Sequence, residues 1–167
     1  MTDPKSPSPS APSSVSRSEP ASEPRSEIDE LYQATIVDHD RAPRNAGTLA
    51  QPTHEATVDN TLCGDVVTVQ ALISDGVVRK LVFEARGCAL SRAAASLMTT
   101  MMQGRTPEAT RELAASFERF VNAPPDAPIL DELGELRAFA GVRRFRSRRV
   151  CALLPFRALA LALDPAK

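Results

Sequence analysis

Apolar residues change their spacing along this chain, and each change marks a structural element. Ile28, Leu31, Tyr32, Thr35 and Ile36 recur at the interval of one helix face, and Pro43 with Asn45-Ala46-Gly47 ends that run in a turn. After a polar connection, Ala56, Val58 and Leu62 predict a strand. Alternation then sharpens from Val66 to Ile73, where Val67, Val69, Ala71 and Ile73 share one face, and Asp75-Gly76 marks a hairpin. The return strand runs from Val77 to about Ala85, with Val77, Leu81 and Phe83 on one side, and stops at Arg86-Gly87-Cys88.

Beyond Cys88 the period becomes helical: Leu90, Ala94, Leu97 and Met101 fall on one face and Gly104 supplies the stop. Thr106-Pro107 reads as a cap and first-turn proline, opening a helix whose stripe is Leu113, Phe117, Phe120 and Val121. Pro124-Pro125 and Pro128 close it, a short helix follows over Leu130 to Phe139, and a last one takes up part of Val150 to Leu163. Pro155 blurs where that last helix begins, because a proline has no N–H to give the carbonyl of Cys151. Strands followed by helices, rather than alternating with them, give an α+β class: a three-stranded antiparallel sheet packed against about five helices.

Residues 1–26 are dominated by serine and proline, so they bury too little to offset their ordering entropy and are expected to form a disordered tail ahead of one domain over residues 27–165. Twenty basic and 21 acidic side chains leave a net charge of −1, which argues against nucleic acid as a partner. The longest apolar stretch, Val150 to Leu163, is interrupted by Pro155 and Arg157 and falls short of the roughly 20 residues a membrane span needs. Met1-Thr2-Asp3-Pro4-Lys5 leads into no apolar run, so no secretory signal is read and a cytoplasmic location is expected.

Three cysteines in a reducing compartment argue against a disulfide framework and leave buried thiols, reactive thiols or metal ligands. In Cys63-Gly64-Asp65 the thiol and carboxylate lie two apart in an extended segment and project to one side, although the same tripeptide also reads as a simple turn. Cys88 follows Gly87 where a strand meets a helix, a place where the helix dipole favours thiolate; the alternative is a small buried residue filling the corner. Cys151 follows Arg143-Arg144-Phe145-Arg146-Ser147-Arg148-Arg149, whose guanidiniums would favour its thiolate or dock an acidic surface, or form a solvated run. Three thiolates and one carboxylate would complete a tetrahedral zinc site, but paired Cys-x-x-Cys knuckles are missing and spacing alone leaves this open. His39, near the end of the first helix, reads as structural, His54 as solvent-facing, and Met98, Met101 and Met102 as core.

Taken in order, Asp38-His39 with Pro43-Arg44-Asn45, Cys63-Gly64-Asp65, Gly87-Cys88-Ala89-Leu90-Ser91 and Arg148-Arg149-Val150-Cys151-Ala152 resemble the IscU/NifU-like iron–sulfur cluster assembly proteins over residues 28 to 163. The long segment between Cys88 and Cys151, and Val150 where a histidine would otherwise precede the third cysteine, make the SufU-type branch the nearer likeness. The resemblance implies zinc held by Cys63, Asp65, Cys88 and Cys151, with Cys63 as the catalytic thiol of a sulfurtransferase. That thiol would take persulfide sulfur from a SufS-like cysteine desulfurase and pass it toward downstream iron–sulfur assembly proteins. The same resemblance admits a scaffold that binds iron and builds a [2Fe-2S] cluster on these residues. It also implies a role for Arg148 in tuning the site or meeting the partner, while Pro155 and the serine-proline tail depart from the family pattern.

Overall fold

The computed structural model of the chain describes residues 26–164; the expected tail lies almost wholly outside the described residues. Helix α1 (Glu27–Arg41) starts because the Ser26 hydroxyl accepts the backbone N–H of Asp29 at 3.1 Å and because Glu27, Asp29 and Glu30 meet the positive end of its dipole. It holds to the body by its C-terminal half. His39 is its one buried residue, whereas Ile28 and Leu31, expected on the packed stripe, are 59% and 63% exposed.

The sheet has strand order β1 (His54–Asn60), β2 (Asp65–Ser74), β3 (Val77–Arg86), all antiparallel. Asp75 and Gly76 both take positive φ, 53° and 70°, as a tight hairpin between right-twisted strands requires. The β2–β3 register slips between Leu72 and Ile73, so Ile73 faces Val78 and it is Val78, not Val77, that points into the core with Leu81 and Phe83. Leu62 belongs to no strand: β1 ends at Asn60 and Leu62 stands in the following turn.

Helices α2 (Ala89–Met102) and α4 (Arg146–Leu163) cover one face of this sheet, and α3 (Pro107–Asn122) packs behind them together with a 3-10 segment over Asp131–Arg144. Short side chains at Ser91, Ala93, Ala94, Ala95 and Ser96 let α2 lie buried among its neighbours. Thr106 caps α3 as expected, and its stripe of Leu113, Phe117, Phe120 and Val121 is buried. Phe117 is the hub of an aromatic cluster, with ring centroids 4.4 Å from Phe156, 5.7 Å from Phe139 and 6.1 Å from Phe120. The expected short helix is a longer 3-10 run broken at Gly134, where φ is +51°. Helix α4 begins at Arg146 and runs straight through Pro155, which is buried, so Cys151 sits in its second turn. Among the described residues no helix is long and apolar enough to cross a membrane.

The segment after α1 is strapped to the body. Asn45 adopts φ +60°, its side chain donates to Thr99 Oγ1 at 3.1 Å, and Ala46 and Gly47 pass beside β3, where the Gly47 N–H reaches the Phe83 carbonyl at 2.8 Å and the Asn45 carbonyl takes the Phe83 N–H at 3.1 Å. Further along the same side of β3, Val78 exchanges backbone hydrogen bonds with Gly104 and Arg105, and Gln103 Oε1 accepts the Leu81 N–H at 3.0 Å.

Candidate metal centre

One end of the sheet gathers the cysteines. Asn60 opposes Asp65 across the β1–β2 turn and Val66 opposes Arg86 in β3, so the start of β2 lies beside the exit of β3 into Gly87 and Cys88. Cys63 rides on the turn itself. The Asn60 carbonyl accepts the N–H groups of Cys63 and Gly64 at 3.2 and 2.7 Å, and Gly64 takes φ +74°, which closes the reversal. Cys88 is the N-cap residue of α2, and Cys151 comes from α4 on the covered face.

Asp65 is the hub. It is buried, its Oδ1 accepts the Cys88 backbone N–H at 2.9 Å, and its Oδ2 accepts the Cys88 thiol at 3.2 Å. One ligand atom each from Cys63, Asp65 and Cys151 lies within 4.8 Å of the others, with the Cys63 and Cys151 sulfurs 3.9 Å apart. Burial pushes the Asp65 carboxyl up, but hydrogen bonds from the Cys88 backbone and from the thiols of Cys88, Cys63 and Cys151 outweigh it and hold it below its ordinary value. Cys151 is shifted the other way: burial first, then the neighbouring Cys88 and Cys63, push its thiol strongly up.

The three sulfurs differ in exposure: Cys63 is exposed, Cys88 half-buried and Cys151 buried, and all are free. The donor set suits a soft or borderline metal. Two thiolates about 2.3 Å from a tetrahedral zinc stand about 3.8 Å apart, close to the observed Cys63–Cys151 separation. Neither histidine enters the group. His39 Nδ1 lies 2.7 Å from Ser96 Oγ, which also accepts the Arg44 N–H at 2.8 Å, so Asp38-His39 and Pro43-Arg44-Asn45 fasten α1 to α2. His54 opens β1, half-buried rather than solvent-facing, with Nδ1 2.8 Å from Thr53 Oγ1.

The arginine run divides instead of surrounding Cys151. Arg143 is fully buried, donating to the carbonyls of Phe120 at 2.9 Å, Ala127 at 2.8 Å and Pro128 at 3.4 Å, with its guanidinium 3.9 Å from the Phe120 ring centre. Arg149 Nε donates to the Arg143 carbonyl at 3.0 Å, and Arg148 stacks 4.6 Å from the centre of the Phe145 ring. The shift at Cys151 follows from burial and the neighbouring Cys88 and Cys63, opposite to the thiolate-favouring effect expected of these cations.

Three supporting residues had no role assigned from the sequence, although Gly87 and Ser91 stand in the motif around Cys88. Ser91 is fully buried and its hydroxyl donates to the Cys88 carbonyl at 3.1 Å; Arg92, in the first turn of α2, pairs with Asp40 at 2.7 Å. The signal for both was their place just after the Cys88 cap. Gly87 is the third: a Cβ there would lie 2.0 Å from Asp65 Oδ1. Only the register of β2 against β3 brings those two residues together.

Residues 31–152 match the model of the NifU-like N-terminal domain. The chain belongs to that family. It is 31% identical over 138 residues to a Streptococcus pyogenes protein named iron–sulfur cluster assembly scaffold protein IscU, covering 83% of this chain and 86% of that one. It is 32% identical over 132 residues to the zinc-dependent sulfurtransferase SufU of Bacillus subtilis, covering 79% and 88%. A solved NifU-like N-terminal domain from Brucella abortus superposes with a TM-score of 0.71 at 33% identity, over 81% of this chain and 94% of that one. The three-stranded sheet with its five helices is thus the family's fold.

Proposed function

We propose that this is an iron–sulfur cluster assembly protein of the SufU type, a cytoplasmic zinc-dependent sulfur acceptor working with a SufS-like cysteine desulfurase. The observation that carries the reading is the unequal presentation of the three thiols: Cys63 is exposed on a turn while Cys151 is buried in α4. A group that must both bind metal and meet a partner's sulfur belongs on such a turn. Cys63, Asp65, Cys88 and Cys151 would hold the zinc, which when bound keeps thiols ionised at neutral pH and damps their reactivity.

The transfer itself is an exchange between sulfurs. The Cys63 thiolate attacks the outer sulfur of the desulfurase persulfide; a new sulfur–sulfur bond forms on Cys63, the old one breaks, and the desulfurase cysteine leaves as thiolate with the bonding pair. The proton stays on the transferred sulfur and nothing is oxidised or reduced overall. Asp65 and the two inner cysteines remain in place as Cys63 engages the partner, which ties their role to the rigid end of the sheet. The loaded protein then supplies downstream iron–sulfur assembly proteins.

Metal analysis of the purified protein, followed by mass spectrometry after mixing with persulfide-loaded desulfurase, tests this. The expected result is bound zinc and one added sulfur on Cys63, abolished in Cys63→Ser. Bound iron with a coloured [2Fe-2S] cluster passed intact to an apo-protein, and no sulfur on Cys63, would establish the scaffold reading instead.

A further inference from the structure

Leu62, the residue before Cys63, is 93% exposed, the highest value of any large apolar side chain among the described residues. The turn makes no use of it. Reversal is accomplished by Asn60, whose carbonyl takes the N–H groups of Cys63 and Gly64 and whose Oδ1 accepts the Leu62 N–H at 3.1 Å, and by Gly64 with its positive φ. Polar residues and glycine are the usual occupants of such a position, because an apolar side chain there keeps its full contact with water. At the same time those hydrogen bonds brace the backbone of the turn that carries the leucine.

Any partner that delivers sulfur to Cys63 must bring an atom to bonding distance of its Sγ, and its surface then passes beside the adjacent residue of the same turn. We propose that Leu62 is the docking residue for the persulfide-bearing desulfurase, entering an apolar recess beside the desulfurase's reactive cysteine and thereby setting Cys63 against the outer sulfur. This rests on the sulfur-acceptor reading above. The leucine touches neither sulfur; it positions the two proteins, and the bond made and the bond broken are those already described.

The full-length protein is mixed in single turnover with persulfide-loaded SufS-type desulfurase from the same organism, and sulfur on Cys63 is followed by mass spectrometry as the acceptor concentration is varied. Leu62→Asp is expected to raise the half-saturating concentration about tenfold or more while the limiting rate holds, and Leu62→Met to restore it. Leu62→Ser, which adds no charge beside the Cys63 thiol, carries the same expectation, and in it zinc content and the rate of Cys63 alkylation by iodoacetamide should match those of the parent. An unchanged half-saturation overturns the inference, as does a loss confined to limiting rate and alkylation, which would make Leu62 a shaper of the turn, or a change seen only in self-association by sedimentation. Cys63→Ser separates the two ideas: sulfur acceptance that survives it sinks the acceptor reading itself, whereas acceptance lost in Cys63→Ser but indifferent to Leu62 sinks only the docking role.

Discussion

Gly87 and Asp65 are in contact across the β2–β3 register: a Cβ placed on Gly87 would come within 2.0 Å of the Asp65 Oδ1 and 2.9 Å of its Cα, where φ at Gly87 is +144°. Gly87→Ala is therefore expected to push the carboxylate off the Cys88 N–H. The strained backbone alone should cost about 2 kcal/mol, and the displaced carboxylate about tenfold or more in zinc affinity. Urea unfolding and competition against a chromogenic zinc chelator measure the two effects; full retention of both would show that Asp65 has another position open to it.

In metal-free protein the cysteines should show an order of reactivity. Cys63 is exposed, Cys88 half-buried, and Cys151 buried with its thiol pushed up by that burial, so iodoacetamide should modify Cys63 first and Cys151 last. On the proposed reading, added zinc should protect all three and raise the melting temperature by several degrees. Peptide mapping of the alkylated protein with and without chelator reads the order directly.

His39 predicts a pH dependence. Burial first, and the Arg44 charge second, hold its imidazole below the usual 6.5 against smaller upward pulls from Glu135 and Asp38. The unfolded chain binds a proton that the folded ring refuses, so the stability tied to the neutral ring is present above about pH 6.5 and is lost as the pH falls below it. His39→Gln should be less stable at neutral pH, by about 1 kcal/mol for the lost Ser96 contact, yet flatter between about pH 7 and about pH 5. Urea midpoints across that range decide; an equally steep decline in the variant would assign the effect to other groups.

Arg143 predicts a stability loss with no local effect on the thiols. Arg143→Met removes the side-chain donor from the carbonyls of Phe120, Ala127 and Pro128, leaving Phe120's with the Ala123 N–H alone, and should cost about 3 kcal/mol. Arg143→Lys, with one compact donor group, should recover only part of that. Denaturant midpoints give the cost, and unchanged zinc content would confirm that the residue serves packing.

Local chemistry was legible where a few adjacent residues decide the backbone. Asp75-Gly76 makes its hairpin, Thr106 caps α3, and Leu113, Phe117, Phe120 and Val121 are the buried stripe that their spacing predicts. Family likeness brought Cys63, Asp65, Cys88 and Cys151 forward together, and the structure places Cys63, Asp65 and Cys151 in one group with Cys88 on the Asp65 carboxylate. Illegible features depend on distant partners. The slip at Leu72 and Ile73 that exchanges Val77 for Val78 comes from strand pairing, and Leu62 continued an apolar alternation that the chain abandons at Asn60. Arg143 read as one member of a thiolate-favouring, docking or solvated run because the carbonyls it binds lie 15 to 23 residues earlier in the chain. Ile28 and Leu31 have helical spacing but stay mostly exposed, since α1 is anchored through His39 and the Arg44–Asn45 strap.

That strap carries a consequence for how the protein behaves at high concentration. With Asn45 and Gly47 bonded to Phe83, and Gln103, Gly104 and Arg105 to Leu81 and Val78, the β3 edge of the sheet offers few free backbone groups to a strand from another molecule. Cutting the chain between α1 and β1 would loosen the Phe83 end of that border without touching a cysteine, and ordered aggregates, not loss of thiol chemistry, would be the first sign of damage.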